Sequence, residues 1–559
     1  MWTEEEFSNT STEDRNTSNS DNSIDSEFPS KRTFRGIISS EDSTDSDENS
    51  TSSHQPLTTS WNWTESKNNP PFIKYTETAG IREDILILSD NYILDIFNIM
   101  FDNDYWSNIV TETNRYAEQI KGNKNKKRKI DNSWIPVCEN ELKIYFALCI
   151  IMSQIRKPKI QMYWSKRAII DTPIFRKTMP FTRFKQITRF IHFSNNKNTV
   201  NLTDKIRKVT PVVNYFNKKF QELIILEENI AIDESLMKFK GRLSYKQYNP
   251  SKRARYGIKF YKLCESSSGY CYNFKIYSGN NKTDAFLSAS ENVAMELAKP
   301  ILDKGHTLYL DNWYSSPKLF LNLIQSKTHA VGTVRVNRAN MPADFATLKL
   351  KRGEYRTKSS NGILAVKWKD RRDVHVITTK HESIEMVEQK KKVGSPVFKP
   401  KSIIDYNKGM RGVDRQDQVL ACFPVMRKYL KGYRKMFFYI FDMALYNSYV
   451  ICNKIFVNEK QNYTDFRLLV AEEILQATPY SHEAKKQKSI NVLGRLHGKC
   501  WGHFPKRIDP TPKKKNPTRL CKVCTQHNKR SETVWECKKC LVALHLPTCF
   551  EQYHTKTDF

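Results

Sequence analysis

Residues 228–235 read Glu228-Asn229-Ile230-Ala231-Ile232-Asp233-Glu234-Ser235, a short apolar run that ends on acids. The same pattern returns at His306-Thr307-Leu308-Tyr309-Leu310-Asp311-Asn312-Trp313-Tyr314. Apolar runs of this length, rich in β-branched and aromatic residues, predict strands, so Asp233 and Asp311 each stand at a strand end. A third acidic stretch, Gly412-Val413-Asp414-Arg415-Gln416-Asp417-Gln418, places Asp414 and Asp417 three apart, on one face of a helix. Acids from neighbouring strand ends and an adjacent helix converge on one point. All-oxygen ligands suit Mg²⁺, or Mn²⁺ in its place. Two such ions about 4 Å apart activate a water or 3′-hydroxyl and steady the leaving oxygen in phosphodiester cleavage.

The sequence before these acids is helical in pattern. Leu142, Tyr145, Phe146, Cys149 and Ile150 recur at helix spacing, as do Phe184, Ile187, Phe190 and Ile191, and Val213, Phe216, Phe220 and Leu223. The basic stretch at residues 121–129 interrupts them as a loop, suited to nuclear import or to a phosphate contact. After residue 228 the period becomes β-like, at 256–264, 270–277, 307–310, 331–336, 363–368 and 374–378. Helix resumes near 410. The apolar stretch at 436–452 is broken by Asp442, Asn447 and Ser448 and reads as a buried helix, short of the roughly 18 apolar residues a membrane span needs.

Charge narrows the class further. The 559 residues carry 91 Lys and Arg against 60 Asp and Glu, a formal +31. Residues 1–60 hold 13 acids against 4 bases with 24 Ser or Thr, so the remaining chain carries 87 bases against 47 acids. An acidic head too polar to fold sits on a strongly cationic body, whose expected partner is nucleic acid. The opening Met1-Trp2-Thr3-Glu4-Glu5-Glu6 has neither the basic nor the apolar part of a signal peptide, which predicts an intracellular protein.

The last forty residues form a third unit. Cys521-x2-Cys524-x2-His527 and Cys537-x2-Cys540-x4-His545-x3-Cys549-x4-His554 offer eight ligands for two structural Zn²⁺ ions in an interleaved cross-brace. His503 competes with His527 for the eighth position. So short a segment cannot build an adequate apolar core, so metal binding supplies its folding energy. Lys513, Lys514, Lys515, Arg519 and Lys522 beside it favour DNA.

Taken in order, the motifs resemble those of the piggyBac family of DNA transposases over nearly all the chain beyond residue 80. They are Ile232-Asp233-Glu234 with Lys240-Gly241-Arg242, Tyr248-Asn249-Pro250 with Tyr256-Gly257-Ile258-Lys259, Leu310-Asp311-Asn312-Trp313-Tyr314, Val331-Gly332-Thr333-Val334-Arg335, and Asp405-Tyr406-Asn407-Lys408-Gly409-Met410 running into Gly412-Val413-Asp414. The resemblance implies a multi-domain α/β chain with an RNase H-like catalytic core, in which Asp233, Asp311 and Asp414 bind the metals and Asp417 is a further required acid. It implies nicking at transposon 3′ ends, hairpin formation on those ends, and joining into TTAA sites in double-stranded DNA, by a nuclear homodimer.

The expected division is an acidic tail at 1–68, helical dimerisation and DNA-binding segments at 69–228 and 424–475, and core segments at 229–337 and 401–423. A β-rich insertion at 338–400, a linker at 476–518 and the zinc module at 519–559 complete it. Arg335 and Arg338 match basic positions of the family; Arg242, Lys252, Arg253, Arg255 and Lys259 are DNA contacts by charge and neighbourhood. Two other readings of the same sequence are a catalytically silent nuclear DNA- or chromatin-binding descendant and a RING-like tail that recruits a ubiquitin-conjugating enzyme. The basic flanks and acid-bearing core argue against the RING-like reading.

Overall fold

The computed structural model describes residues 60–83, 93–121, 134–197, 204–250, 255–279, 287–389, 397–425, 431–478, 503–512 and 514–556. The acidic head up to residue 59, residues 122–129 of the basic loop, Lys252, Arg253, Lys513 and residues 479–502 of the linker lie outside them.

A single large sheet organises the middle of the chain. Its strands are β1 (Asn229–Lys238), β2 (Gln247–Tyr248), β3 (Tyr256–Glu265), β4 (Cys271–Ile276), β5 (Thr307–Leu310), β6 (His329–Thr333), β7 (Tyr355–Ser360), β8 (Ile363–Lys369) and β9 (Asp373–Thr378). They lie in the order β2-β3-β1-β5-β6-β9-β8-β7, with β4 also paired to β3. β1, β3 and β4 pair antiparallel, whereas β5 runs parallel to β1 and β6 parallel to β5. Parallel neighbours need crossovers, and helices α1 (Ala289–Ala298) and α2 (Pro317–Gln325) supply them. Each starts on a capping serine: Ser288 accepts the Glu291 N–H in a capping box, and Ser316 accepts the Leu319 N–H before Pro317.

β1 proves longer than its apolar start suggests, because Ser235 and Asp233 sit on a face that a helix covers. The β-like segments expected at 338–400 do form strands. β9 pairs with β6, and β8 and β7 follow it, so they extend the same sheet, while Met386–Gln389 and Val397–Pro400 form a separate ribbon. The segment from residue 60 is also tied down before the expected end of the acidic tail at 68. Thr64 bridges to Ser359 in β7, and Asn68 donates to the Gly362 carbonyl in the turn joining β7 to β8 and to the His381 carbonyl after β9.

The two helical segments flanking the sheet in sequence pack against each other. Glu139–Gln154 lies against Tyr463–Ala477, and Gly432–Ile455 against Thr210–Leu223 and Ile93–Met100. The periodic residues Leu142, Tyr145, Phe146, Phe184, Ile187 and Phe216 are all buried. The helix Gly432–Ile455 is buried along most of its length, and its polar residues are satisfied internally. Asp442 pairs with Arg467 at 3.5 Å, Asn447 bonds the backbone of Cys271, and Ser448 donates to the Ala444 carbonyl. Among the described residues no helix is long and apolar enough to cross a membrane.

Candidate active site and metal-binding module

The parallel pairing of β1 and β5 sets Ile232 opposite Leu310. Asp233 and Asp311 follow these residues, so the two acids stand side by side: Asp311 just past the end of β5, Asp233 still within β1 and paired with Lys262 of β3. Asp233 Oδ1 accepts the Glu234 N–H at 2.7 Å, and Asp311 Oδ1 accepts the Thr333 hydroxyl at 3.2 Å. Helices α3 (Lys401–Gly409) and α4 (Arg411–Cys422) bring the remaining groups. α4 packs on β1 and β3. A Cβ on Gly412 would stand 2.7 Å from the Glu265 carbonyl oxygen, so the first turn of α4 reaches the sheet because residue 412 has no side chain. Asp414 lies in that turn, exposed, and Asp417 one turn on.

Tyr406 on α3 joins the acids electrostatically. Its hydroxyl bonds Thr333 Oγ1 at 3.2 Å, and its pKa is raised by burial and then by Asp311, Asp233 and Asp414 together. Thr333 thus links this half-buried phenol to Asp311 directly. The three acids are spread more widely than the cysteine and histidine groups described below, which among the described residues are the ones whose ligand atoms close to within 4.8 Å of one another. The acids are half-buried or exposed and offer only oxygen, so the donor set fits a hard, partly hydrated divalent cation.

Asp417 is placed differently. Its Oδ1 accepts from Ser235 Oγ at 2.8 Å, from Lys262 Nζ at 2.8 Å and from the Tyr439 hydroxyl at 3.2 Å. Lys262 has no solvent exposure. Burial disfavours its ammonium, but Asp417 and Tyr439 outweigh that and raise its pKa. Lys262, Ser235, Thr333 and Tyr406 were not among the sequence-based candidates. The one signal was a lysine inside the otherwise apolar Phe260-Tyr261-Lys262-Leu263-Cys264.

The expected DNA contacts divide as well. Arg242, Arg255 and Arg335 are exposed. Lys259 stands over the Trp313 and Tyr261 rings at 5.2 and 5.5 Å, and these rings stack at 5.6 Å. Arg338 turns inward: its Nη2 donates to the Asn312 and Trp313 carbonyls at 3.1 and 2.7 Å, bracing the loop that follows Asp311.

In the terminal module, seven of the eight expected ligands gather in two groups, and the eighth is His503. The groups are His503, Cys537, Cys540 and His554, and Cys521, Cys524, His545 and Cys549, each able to hold a metal ion. His527 lies outside both; it is exposed, and its backbone N–H closes the short helix Lys522–Gln526. His503 arrives because Pro505–Arg507 pairs with Trp535–Cys537, so the folded module starts well before the expected 519. The two groups alternate along the chain, the cross-brace arrangement.

Their dimensions are those of a tetrahedral site. Zinc bonds of the usual lengths give edges of about 3.8 Å between sulfurs and about 3.5 Å from sulfur to nitrogen. Cys524 and Cys549 sulfurs are 3.8 Å apart, and His545 Nδ1 is 3.5 Å from Cys524. In the other group His503 Nδ1 lies 3.6 and 3.4 Å from the Cys537 and Cys540 sulfurs, and His554 Nε2 lies 3.6 Å from Cys540. The far ring nitrogens of His545 and His554 meet the Glu532 and Phe550 carbonyls at 3.1 and 2.7 Å, which favours the tautomer whose bare nitrogen faces the group and could take a metal. The apolar support is small, chiefly Val523, Val542, Leu544 and Tyr553.

A family model described as Transposase IS4 matches residues 94–449. PiggyBac transposable element-derived protein 2 of Homo sapiens is 26% identical over 409 residues, 69% of this chain and 66% of that protein. PiggyBac transposable element-derived protein 3 of Homo sapiens is 24% identical over 436 residues, 75% of this chain and 70% of that protein. Among solved structures, the piggyBac transposase synaptic complex with hairpin DNA shares the fold at a TM-score of 0.67 and 20% identity, over 84% of this chain and 97% of that one.

Proposed function

Because the chain belongs to the piggyBac-type transposase family, we propose that it is a cut-and-paste DNA transposase that excises an element and inserts it at TTAA sites. The observation that carries this reading is the register that sets Asp233 beside Asp311, with the helix that bears Asp414 packed on the same strand β1. An RNase H-like core is supported by the strand order β4-β3-β1-β5-β6, three antiparallel strands followed by two parallel to the first.

In this reading Asp233, Asp311 and Asp414 are the oxygen ligands, held in orientation by the Glu234 N–H, Thr333 and the first turn of α4. Mg²⁺ or Mn²⁺ bound there supplies Lewis acidity to the scissile phosphate and its attacking oxygen. Arg242, Arg255, Lys259 and Arg335 offset the charge of the approaching backbone. Hydrolysis at each element end frees a 3′-hydroxyl. That hydroxyl attacks the opposite strand, closing a hairpin and releasing the flanking strand, and after opening the same 3′-hydroxyl attacks target DNA. Two structural Zn²⁺ ions, one in each Cys/His group, fold the terminal module as a reader of end DNA. The enzyme works in the nucleus as a homodimer on paired ends.

The test is cleavage of labelled duplexes carrying the element's own ends by the purified chain. Metal-dependent nicks and hairpins support the proposal; intact duplexes at every metal concentration, with the DNA bound, would not. That second outcome fits a silent DNA-binding descendant, a reading favoured by the relatives' description as element-derived proteins.

A further inference from the structure

Lys262 stands in register with Asp233 across the β1–β3 pair, and Ser235 lies two residues further along β1. The three side chains therefore share one face of the sheet, the face on which α4 packs. An ammonium has three donors, and those of Lys262 are all engaged: Gln416 Oε1 at 2.9 Å, Asp417 Oδ1 at 2.8 Å and the Tyr439 hydroxyl at 2.8 Å. Asp417 Oδ1 receives Ser235 and Tyr439 as well. An oxygen crowded by three donors is satisfied without a metal, and its negative charge is already matched by the lysine beneath it.

We propose that Lys262 is a positioning residue for the metal site and that Asp417 serves the site through it. The pair locks α4 to the sheet, and the lock sets where Asp414, one turn away, stands relative to Asp233. Gln416 and Tyr439 extend the lock to the neighbouring turn and to the long helix Gly432–Ile455. The inference rests on the metal-site reading above and assigns Asp417 a place outside the ligand set. Removing one member of a buried pair leaves the other charge uncompensated, so single substitutions should do more harm than a joint apolar replacement.

The experiment is a Mn²⁺ titration of the full chain followed by electron paramagnetic resonance, with thermal melts alongside. Lys262→Met is expected to weaken Mn²⁺ binding by about tenfold, and Lys262→Met with Asp417→Leu to bind more tightly than either single variant. Arg467→Met, which breaks a buried pair at another place in the fold, should lower the melting temperature and leave the Mn²⁺ midpoint unmoved. A Lys262→Met protein that titrates like wild type would overturn the proposal. So would a double variant no tighter than Asp417→Leu alone, the result expected of a true ligand, and this comparison decides the matter even if Lys262→Met alone fails to fold. A wild-type titration unmoved by Asp233→Asn would instead overturn the metal reading itself, and the lock with it.

Discussion

Ile232 and Leu310 face each other across a parallel strand pair, and the residue after each is an aspartate. This register sets the two acids side by side, Asp233 within β1 and Asp311 just past the end of β5. Asp311→Asn removes one negative charge of the proposed metal site while leaving the Thr333 hydroxyl a partner. End cleavage should fall by at least about a hundredfold, while end binding, which rests on phosphate contacts, should hold within about threefold. Rate measurements on labelled ends check the first and gel-shift titrations the second. A variant that nicks at the wild-type rate would take Asp311 out of the site.

Two arginines expected to touch DNA should separate in assay. Arg335 is exposed, so Arg335→Ala should weaken DNA binding and reduce the slope of log affinity against log salt by about one. Arg338 holds the Asn312 and Trp313 carbonyls, so Arg338→Ala should slow cleavage with little change in that slope. Equal losses of slope from both variants would show that Arg338 is also a phosphate contact.

The terminal module predicts a metal count. Wild type should carry two zinc ions per chain, His503→Ala and Cys537→Ser should each lose one, and His527→Ala should keep both. Native mass spectrometry reads this directly. Chelation of both ions should unfold residues 503–556, since Val523, Val542, Leu544 and Tyr553 are too small a core to stand alone. Loss of a zinc from His527→Ala would contradict the ligand assignment.

Asp442 gives the fold a pH dependence. Complete burial raises its pKa to about 7, with Arg467 and the Val425 N–H pulling the other way. The folded state therefore holds a proton that the unfolded state releases near pH 4, so this residue's contribution to stability falls as pH rises from about 4 to 7 and is level above that. The stability of wild type relative to Asp442→Asn should decline by about 1 kcal/mol per pH unit within that window. Denaturant melts at pH 5, 6, 7 and 8 check it; a constant difference would place the Asp442 pKa elsewhere.

The two acid-bearing strands were legible because an apolar run that meets an acid is a local signal, in Ile230-Ala231-Ile232-Asp233 and Leu308-Tyr309-Leu310-Asp311, although β1 runs on past Asp233 to Lys238. Helix periodicity likewise marked Leu142, Phe146, Phe184 and Phe216 as core, and each is buried. What escaped depends on contacts between distant segments. Lys262 meets Asp417 across 155 residues, Thr333 meets Tyr406 across 73, and Thr64 bridges to Ser359. His503 sits in a polar, Pro- and Lys-rich stretch that reads as linker until Pro505–Arg507 pairs with Trp535–Cys537. The β-like segments of the expected insertion do not say which edge they join; the pairing of β9 with β6 does.

The most direct test of the account is excision in cells from a plasmid carrying the element's own flanking ends, comparing wild type with Asp233→Ala. The account predicts precise repair to a single TTAA with wild type and none with Asp233→Ala. Excision that persists in Asp233→Ala, or end binding by wild type without excision, would contradict it.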